Sequence, residues 1–233
     1  MPANTKPIAS VWTRSRPPQR EQLTREQIVA AAIELLDAEG VEALSMRKLG
    51  ARLGAGATSL YRHVTNRDEL IQLAVDDVCG ELDLPAPADP AQWRAAVAHT
   101  ATEVRAMVLR HPWVALELGQ IGLIHIGPNA MRMSSELLAW FEAAGFPARE
   151  KQPAAGTLMS YVIGIATAEA AYISLIARSG STESAWVASR SQDFDEGADP
   201  RQLREDHFAY GLDRVLDGLA ARLDGRGSGR LQP

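Results

Sequence analysis

The sequence predicts an all-α protein built in two parts, and three observations carry that expectation. Apolar residues recur at spacings of three and four along most of the 233-residue chain. No run alternates apolar and polar residues as a half-buried strand does. Helix-start and helix-stop signals punctuate these stretches, and the strongest break, Pro85-Ala86-Pro87, divides a short front from a longer back.

Residues 1–20 hold four prolines and scattered basic residues without periodicity, and are expected to form a disordered arm. A first helix then starts at Thr24, an N-cap with Gln27 as its capping-box partner. Its buried stripe is Ile28, Ala32, Leu35 and Leu36, and Gly40 stops it. A second, short helix follows Ser45 and breaks at Gly54-Ala55-Gly56. A third starts at about Ala57 with Leu60 and Val64 inward, and a fourth starts after the cap Asn66 and runs to about Leu82. Beyond the proline break, helices are expected at about 90–110, 113–121, 128–144, 149–178, 182–190 and 200–223, followed by a flexible tail at 225–233. The expected division is a helix-turn-helix unit at 21–67, a connecting helix and linker at 68–84, and a larger helical domain at 85–224.

Composition narrows the function classes. A single cysteine, Cys79, excludes an internal disulfide framework, and isolated histidines offer no metal spacing, so neither metal nor cofactor is expected. The start lacks signal-peptide order, and no stretch reads as the ~20 apolar residues of a membrane span, so a cytoplasmic protein is expected. The net charge of −5 is unevenly spread. Residues 1–67 carry ten Lys and Arg against six acids, a net +4, and the remainder 14 against 23, a net −9. A basic front on an acidic body suits a protein that meets phosphate only at its front.

Helix, short helix, glycine-containing turn and short helix is the order of a helix-turn-helix, whose last helix enters the DNA major groove. With Leu60 and Val64 inward, Thr58, Ser59, Tyr61, Arg62 and His63 remain for solvent or DNA. Hydroxyls can donate to phosphate, and Arg62 can bind guanine O6 and N7. Arg47 and Lys48 suit the flanking backbone or a base edge; Tyr61 serves either DNA or packing on the first helix, and Met46 suits the groove or the core equally.

The segment Leu23 to Leu82 resembles the DNA-binding domain of the tetracycline-repressor (TetR) family, above all in Leu44-Ser-Met-Arg-Lys-Leu-Gly-Ala-Arg-Leu-Gly and Thr58-Ser-Leu-Tyr-Arg-His-Val-Thr-Asn-Arg. The resemblance implies that Ser45, Met46 and Arg47 lie at the groove. It implies base or phosphate contacts for Ala57, Thr58, Ser59, Tyr61 and Arg62, and backbone contacts for His63 and Arg67. Ala55 and Gly56 depart from the family pattern and imply a looser turn.

The back two thirds resembles that family's ligand-binding and dimerisation domain through its general pattern and His111-Pro112-Trp113. The resemblance implies a homodimer paired through two long helices, here Ala155 to Ile176 and Leu203 to Leu223, around pockets for a small-molecule effector. Gly164, Ala168 and Ala171 permit close helix approach, and Leu212, Val215, Leu216 and Leu219 form a stripe that needs a partner. Trp93, Trp113, Met131, Trp140, Phe141 and Tyr161 could surround a largely apolar ligand, with His99, His125 or Glu169 as polar anchors. The expected function is repression of a palindromic double-stranded operator, relieved by ligand. An activator or a ligand-independent binder fits the same residues. An enzyme does not, since the sequence holds no recognisable Ser/His/Asp set, phosphate loop or paired-carboxylate cleft.

Overall fold

A computed structural model describes residues 23–118, 127–189 and 199–223, and every element among them is helical. The expected arm and tail lie outside the described residues, as does His125. Helix α1 spans Arg25–Glu39, α2 Met46–Arg52, α3 Ala57–Leu60 and α4 Arg67–Cys79. The larger body holds α5 (Trp93–Arg110), α6 (Val114–Leu118), α7 (Pro128–Ala143), α8 (Ala148–Ser179), α9 (Glu183–Ala188) and α10 (Pro200–Leu223).

Local signals place the first four helices. Thr24 Oγ1 accepts from the Gln27 amide while Gln27 Oε1 accepts from the Thr24 amide, which satisfies two donors that a helix start leaves free. Asn66 Oδ1 takes the Glu69 amide at 2.8 Å, and Glu69 Oε2 takes the Thr65 amide at 2.6 Å. Ile28, Leu35, Leu36, Leu49, Leu60 and Leu70 are at most 1% exposed and form one core beneath the helix-turn-helix. Gly54 makes the turn with φ +61°, a left-handed conformation that glycine adopts without steric cost.

In the body, α8 packs along α5, α7 and α10, while α4 packs on α1 at one side and α7 at the other. Helix α4 therefore belongs to both halves of the molecule. Asp76, midway along it, caps α7 from outside: its Oδ1 accepts the amides of Asn129 at 2.9 Å and Ala130 at 3.0 Å. A side chain at Gly127 would collide with that carboxylate, because an added Cβ would overlap Asp76 Cγ.

One exclusion drawn from the sequence is corrected here. Helix α8 is long and apolar enough, by length and composition alone, to cross a membrane. Its pattern is nevertheless two-faced, with Ala154, Leu158, Val162, Ala166 and Glu169 buried against the body and the opposite stripe exposed.

Candidate nucleic-acid interface and sensor cavity

The third helix is shorter than the sequence suggests. It closes at Leu60, and Tyr61, Arg62 and His63 lie in the turns that follow, held by His63 and Val64 amides donating to Leu60 O at 2.9 and 3.1 Å. Leu60 and Val64 still anchor this segment, at 0% and 2% exposure, and leave Thr58, Tyr61 and Arg62 exposed. Tyr61 is 53% exposed, which excludes the reading in which it packs away against α1. Ser59, Arg62 and His63 share a groove of about 1120 Å³ with Gln27, Glu34 and Arg52.

The structure redistributes the other expected contacts. Met46 is buried, 7% exposed, and belongs to the core of the helix-turn-helix. Arg67 is committed internally: Nε donates to Leu44 O at 3.0 Å and an Nη to Val41 O at 2.6 Å, fixing the loop before α2. Ser45 caps α2 by accepting the Lys48 amide at 3.2 Å. The Lys48 ammonium pairs with Glu39, and Arg52 with Glu34. Among the described residues of the helix-turn-helix, Arg25, Arg47 and Arg62 are exposed and enter none of its ion pairs, so these cations remain for phosphate or base edges. Ala57 is half-buried at the start of α3.

One functional position escaped the sequence reading. Gly50 is buried in α2, and a Cβ there would sit 2.7 Å from Ala55 O, so glycine lets the turn close over α2. Nothing in the apolar periodicity marks it, because the constraint comes through space from the turn.

In the body, a cavity of about 400 Å³ lies between α8, α9 and α10. Ile165, Ala168, Tyr172, Val187, Pro200 and Leu203 form its apolar walls, and Glu169, Glu183, Arg204 and His207 its polar end. Behind that end runs a buried charge network. Arg105 grips Glu169 with Nε and Nη2, both at 2.8 Å, and Nη1 donates to Glu205 at 2.6 Å. Arg204 adds Nε to Glu169 at 2.9 Å and a bond to Glu183, while the Arg105 guanidinium lies 4.7 Å from the centre of the Phe208 ring. Burial alone pushes the Glu169 carboxyl up, but the guanidinium hydrogen bonds from Arg105 and Arg204 outweigh it and hold it below its ordinary range.

Of the expected ligand residues that are described, only Glu169 lines this cavity. Trp93 and Phe141 pack with Phe146 in an aromatic cluster, ring centres 5.0–6.3 Å apart. Trp140 is buried with its indole N–H on Pro85 O at 2.6 Å, strapping the linker to α7. Trp113 is buried with its indole N–H on Asp37 Oδ1 of α1. Tyr161 stacks on Phe208 and donates to its carbonyl at 2.8 Å, joining α8 to α10. Met131 is 56% exposed, and His99 is exposed beside Asp83 at 3.2 Å. These aromatics satisfy the body's own packing, the usual fate of large rings in a close-packed interior.

The expected pairing stripe on α10 is also corrected. Leu212 and Leu216 are 6% and 1% exposed within the single chain, and Val215 and Leu219 pack half-buried against the same core. They turn inward to α5 and α8. On α8 the expectation stands differently: Gly156, Ser160, Gly164, Ala168, Ala171 and Leu175 recur at spacings of four and three, all exposed. Leu203 and Tyr210 are exposed on α10, 50% and 67%.

A helix-turn-helix with a cation-bearing exposed face, joined by a shared helix to a helical body with its own cavity, defines a DNA-binding transcriptional regulator with a sensing domain. Residues 28–74 match the model described as bacterial regulatory proteins, tetR family, and residues 86–223 the model described as tetracyclin repressor-like, C-terminal domain. The chain belongs to the TetR family of transcriptional regulators. It is 42% identical over 165 residues to an HTH-type transcriptional regulator of Saccharopolyspora erythraea, covering 70% of this chain and 69% of that one. It is 35% identical over 225 residues to the HTH-type transcriptional repressor DrrR1 of Streptomyces coeruleorubidus, covering 90% and 83%. Among solved structures, ActR of Streptomyces coelicolor in complex with actinorhodin superposes with a TM-score of 0.68 at 26% identity, covering 90% of this chain and 100% of that one.

Proposed function

We propose that the protein is a homodimeric repressor, working in the cytoplasm, that occupies a palindromic operator and leaves it when a small, largely apolar molecule binds the helical body. The carrying observation is the division of labour on the helix-turn-helix. Met46 and Arg67 are spent on the fold and Lys48 pairs with Glu39 in solvent, while Arg47, Thr58, Tyr61 and Arg62 are each exposed. On this reading residues 21–67 form the reading head, 68–84 the connection and 85–224 the sensing and pairing domain.

The effector reading is supported by the apolar cavity, whose about 400 Å³ falls in the usual range of small-molecule sites, and by a relative solved with a bound ligand. Pairing is supported by the exposed small-residue face of α8 and by the exposure of Tyr210 on α10. A ligand that bound both states of the dimer equally would shift nothing. A coupling of ~1–3 kcal/mol weakens operator binding ~5–150-fold, and operator must weaken ligand binding by the same factor. Helix α4 is the mechanical link, since Asp76 ties it to α7 while its first turn follows the reading head.

Operator binding by two variants tests the reading. Arg62→Ala should lose ~1–3 kcal/mol on a selected duplex and little on random DNA, as a base-reading contact does. Ala171→Glu should yield a folded monomer by sedimentation and lose operator binding with it, because one head reads only a few base pairs. Equal losses for Arg62→Ala on both DNAs, or a wild-type monomer at micromolar concentration, would overturn it.

A further inference from the structure

His111 closes α5 where three elements converge, and its ring is buried, 8% exposed. Its Nδ1 lies 2.7 Å from Asp37 Oδ1 on α1, and its Nε2 lies 3.4 Å from Glu81 Oε1, just past the end of α4. The same Asp37 oxygen accepts the Trp113 indole N–H at 2.7 Å, and Arg110 donates to the other Glu81 oxygen at 2.9 Å. The charged groups around the ring are therefore Asp37 from α1, Glu81 from the end of α4 and Arg110 from its own helix, with Trp113 a neutral donor.

Both ring nitrogens face carboxylates. A neutral imidazole carries a single N–H and no charge, so only the doubly protonated ring both hydrogen-bonds Asp37 and ion-pairs with Glu81. We infer that His111 is a proton-operated positioning group: charged, it draws Glu81 at the end of α4 toward α1 while it holds Asp37; neutral, it keeps the shorter contact to Asp37 and leaves Glu81 to Arg110 alone. Histidine is the side chain whose charge changes between about pH 5 and 8. A pinned α4 presets the angle of the reading head, and a released one must be ordered on DNA at a cost in affinity. The inference rests on the DNA-binding reading above.

The test uses full-length protein and a duplex that the wild type selects from a random-sequence pool. Wild-type affinity should fall on the order of 5–10-fold from about pH 6 to 8, at the low end of typical coupling. His111→Gln should bind weakly with that part of the profile flat. Glu81→Gln should bind tightly with it flat, because an amide can donate to the neutral ring as well as accept from the charged one. Thermal unfolding at both pH values checks that the variants fold. If His111→Gln retained the wild-type profile, the switch would be overturned; equal weakening at every pH would reduce His111 to a structural contact. Hydrogen exchange in residues 76–82 of the free protein, corrected for intrinsic rates, separates this idea from the DNA reading. Protection should drop from about pH 6 to 8 in wild type and hold in Glu81→Gln. Failure to select any duplex would sink the DNA reading, and unchanged protection would sink the proton switch.

Discussion

Between Thr24 and Val64 charged side chains stay at the rim and pair in solvent, Lys48 with Glu39 and Arg52 with Glu34, over a core of aliphatic residues. In the body one pair goes inside: Arg105 and Glu169 have side chains only 4% and 7% exposed. Exposed pairs contribute ~0–1 kcal/mol, whereas breaking a buried pair leaves a charge stranded in low dielectric. The reading head can thus spend its surface on DNA without risking its fold. The body holds its charge where a rearrangement of α8 or α10 must also rearrange ion pairs, which suits an element with two discrete arrangements.

The sharpest way to break that contrast is Glu169→Ala, which strands Arg105 beside Glu205 alone. The expected cost is about 3–5 kcal/mol, read as a lower denaturation midpoint, against less than about 1 kcal/mol for Glu34→Ala in the head. Acid adds a second reading. Glu169 is held below its ordinary value of 4.5, first against burial and then by Arg105 and Arg204. A carboxyl depressed in the folded state contributes stability that is present above the unfolded value and lost as pH falls through the folded one. The stability gap between wild type and Glu169→Gln should therefore narrow below about pH 4. A gap unchanged down to pH 2–3 would mean that the carboxylate is not what the network stabilises.

The same contrast explains what could be read from the sequence. Thr24 with Gln27, Ser45 with the Lys48 amide and Asn66 with the Glu69 amide are contacts across three residues, and each leaves a local signature. Helix positions followed because apolar spacing repeats within a turn or two. Arg105 meets Glu169 and Glu205 across 64 and 100 residues, and Asp76 meets Asn129 across 53, so nothing nearby in the chain announces them. Aromatic identity signalled burial correctly for Trp113, Trp140 and Phe141 but not which face was empty, and the cavity opened elsewhere. Leu212 and Leu216 were legible as a stripe in need of a partner; the partner is the chain's own body.

Gly50→Ala is expected to have an intermediate effect and to separate head from body. The added methyl would meet backbone, Ala55 O at 2.7 Å and Ala57 N at 3.4 Å, so the turn must shift rather than a side chain swing aside. Overpacking of this kind costs about 1–3 kcal/mol. Because the displaced turn leads directly into Ala57–Leu60, operator affinity should fall further than stability does. Amide chemical shifts should move in α2 and α3 and stay fixed in α8 and α10. Shifts spreading into α10 would show that head and body do not hold their cores separately.

The smallest expected effect belongs to Ser45, where two roles compete for one oxygen. As an N-cap it accepts the Lys48 amide at 3.2 Å, so Ser45→Ala should cost about 1 kcal/mol and lower the melting temperature by about 2–4 °C. Loss of operator affinity in that variant would not distinguish a frayed α2 from a lost phosphate contact. Ser45→Asp does, because aspartate caps as well as serine and favours the helix N-terminus, yet places a negative charge wherever the hydroxyl was. If Ser45 also faces the DNA backbone, Ser45→Asp should keep wild-type stability while weakening specific and random duplexes alike, with a shallower salt dependence. If it keeps both stability and affinity, Ser45 acts through α2 alone, and the groove contact at the start of that helix belongs to Arg47.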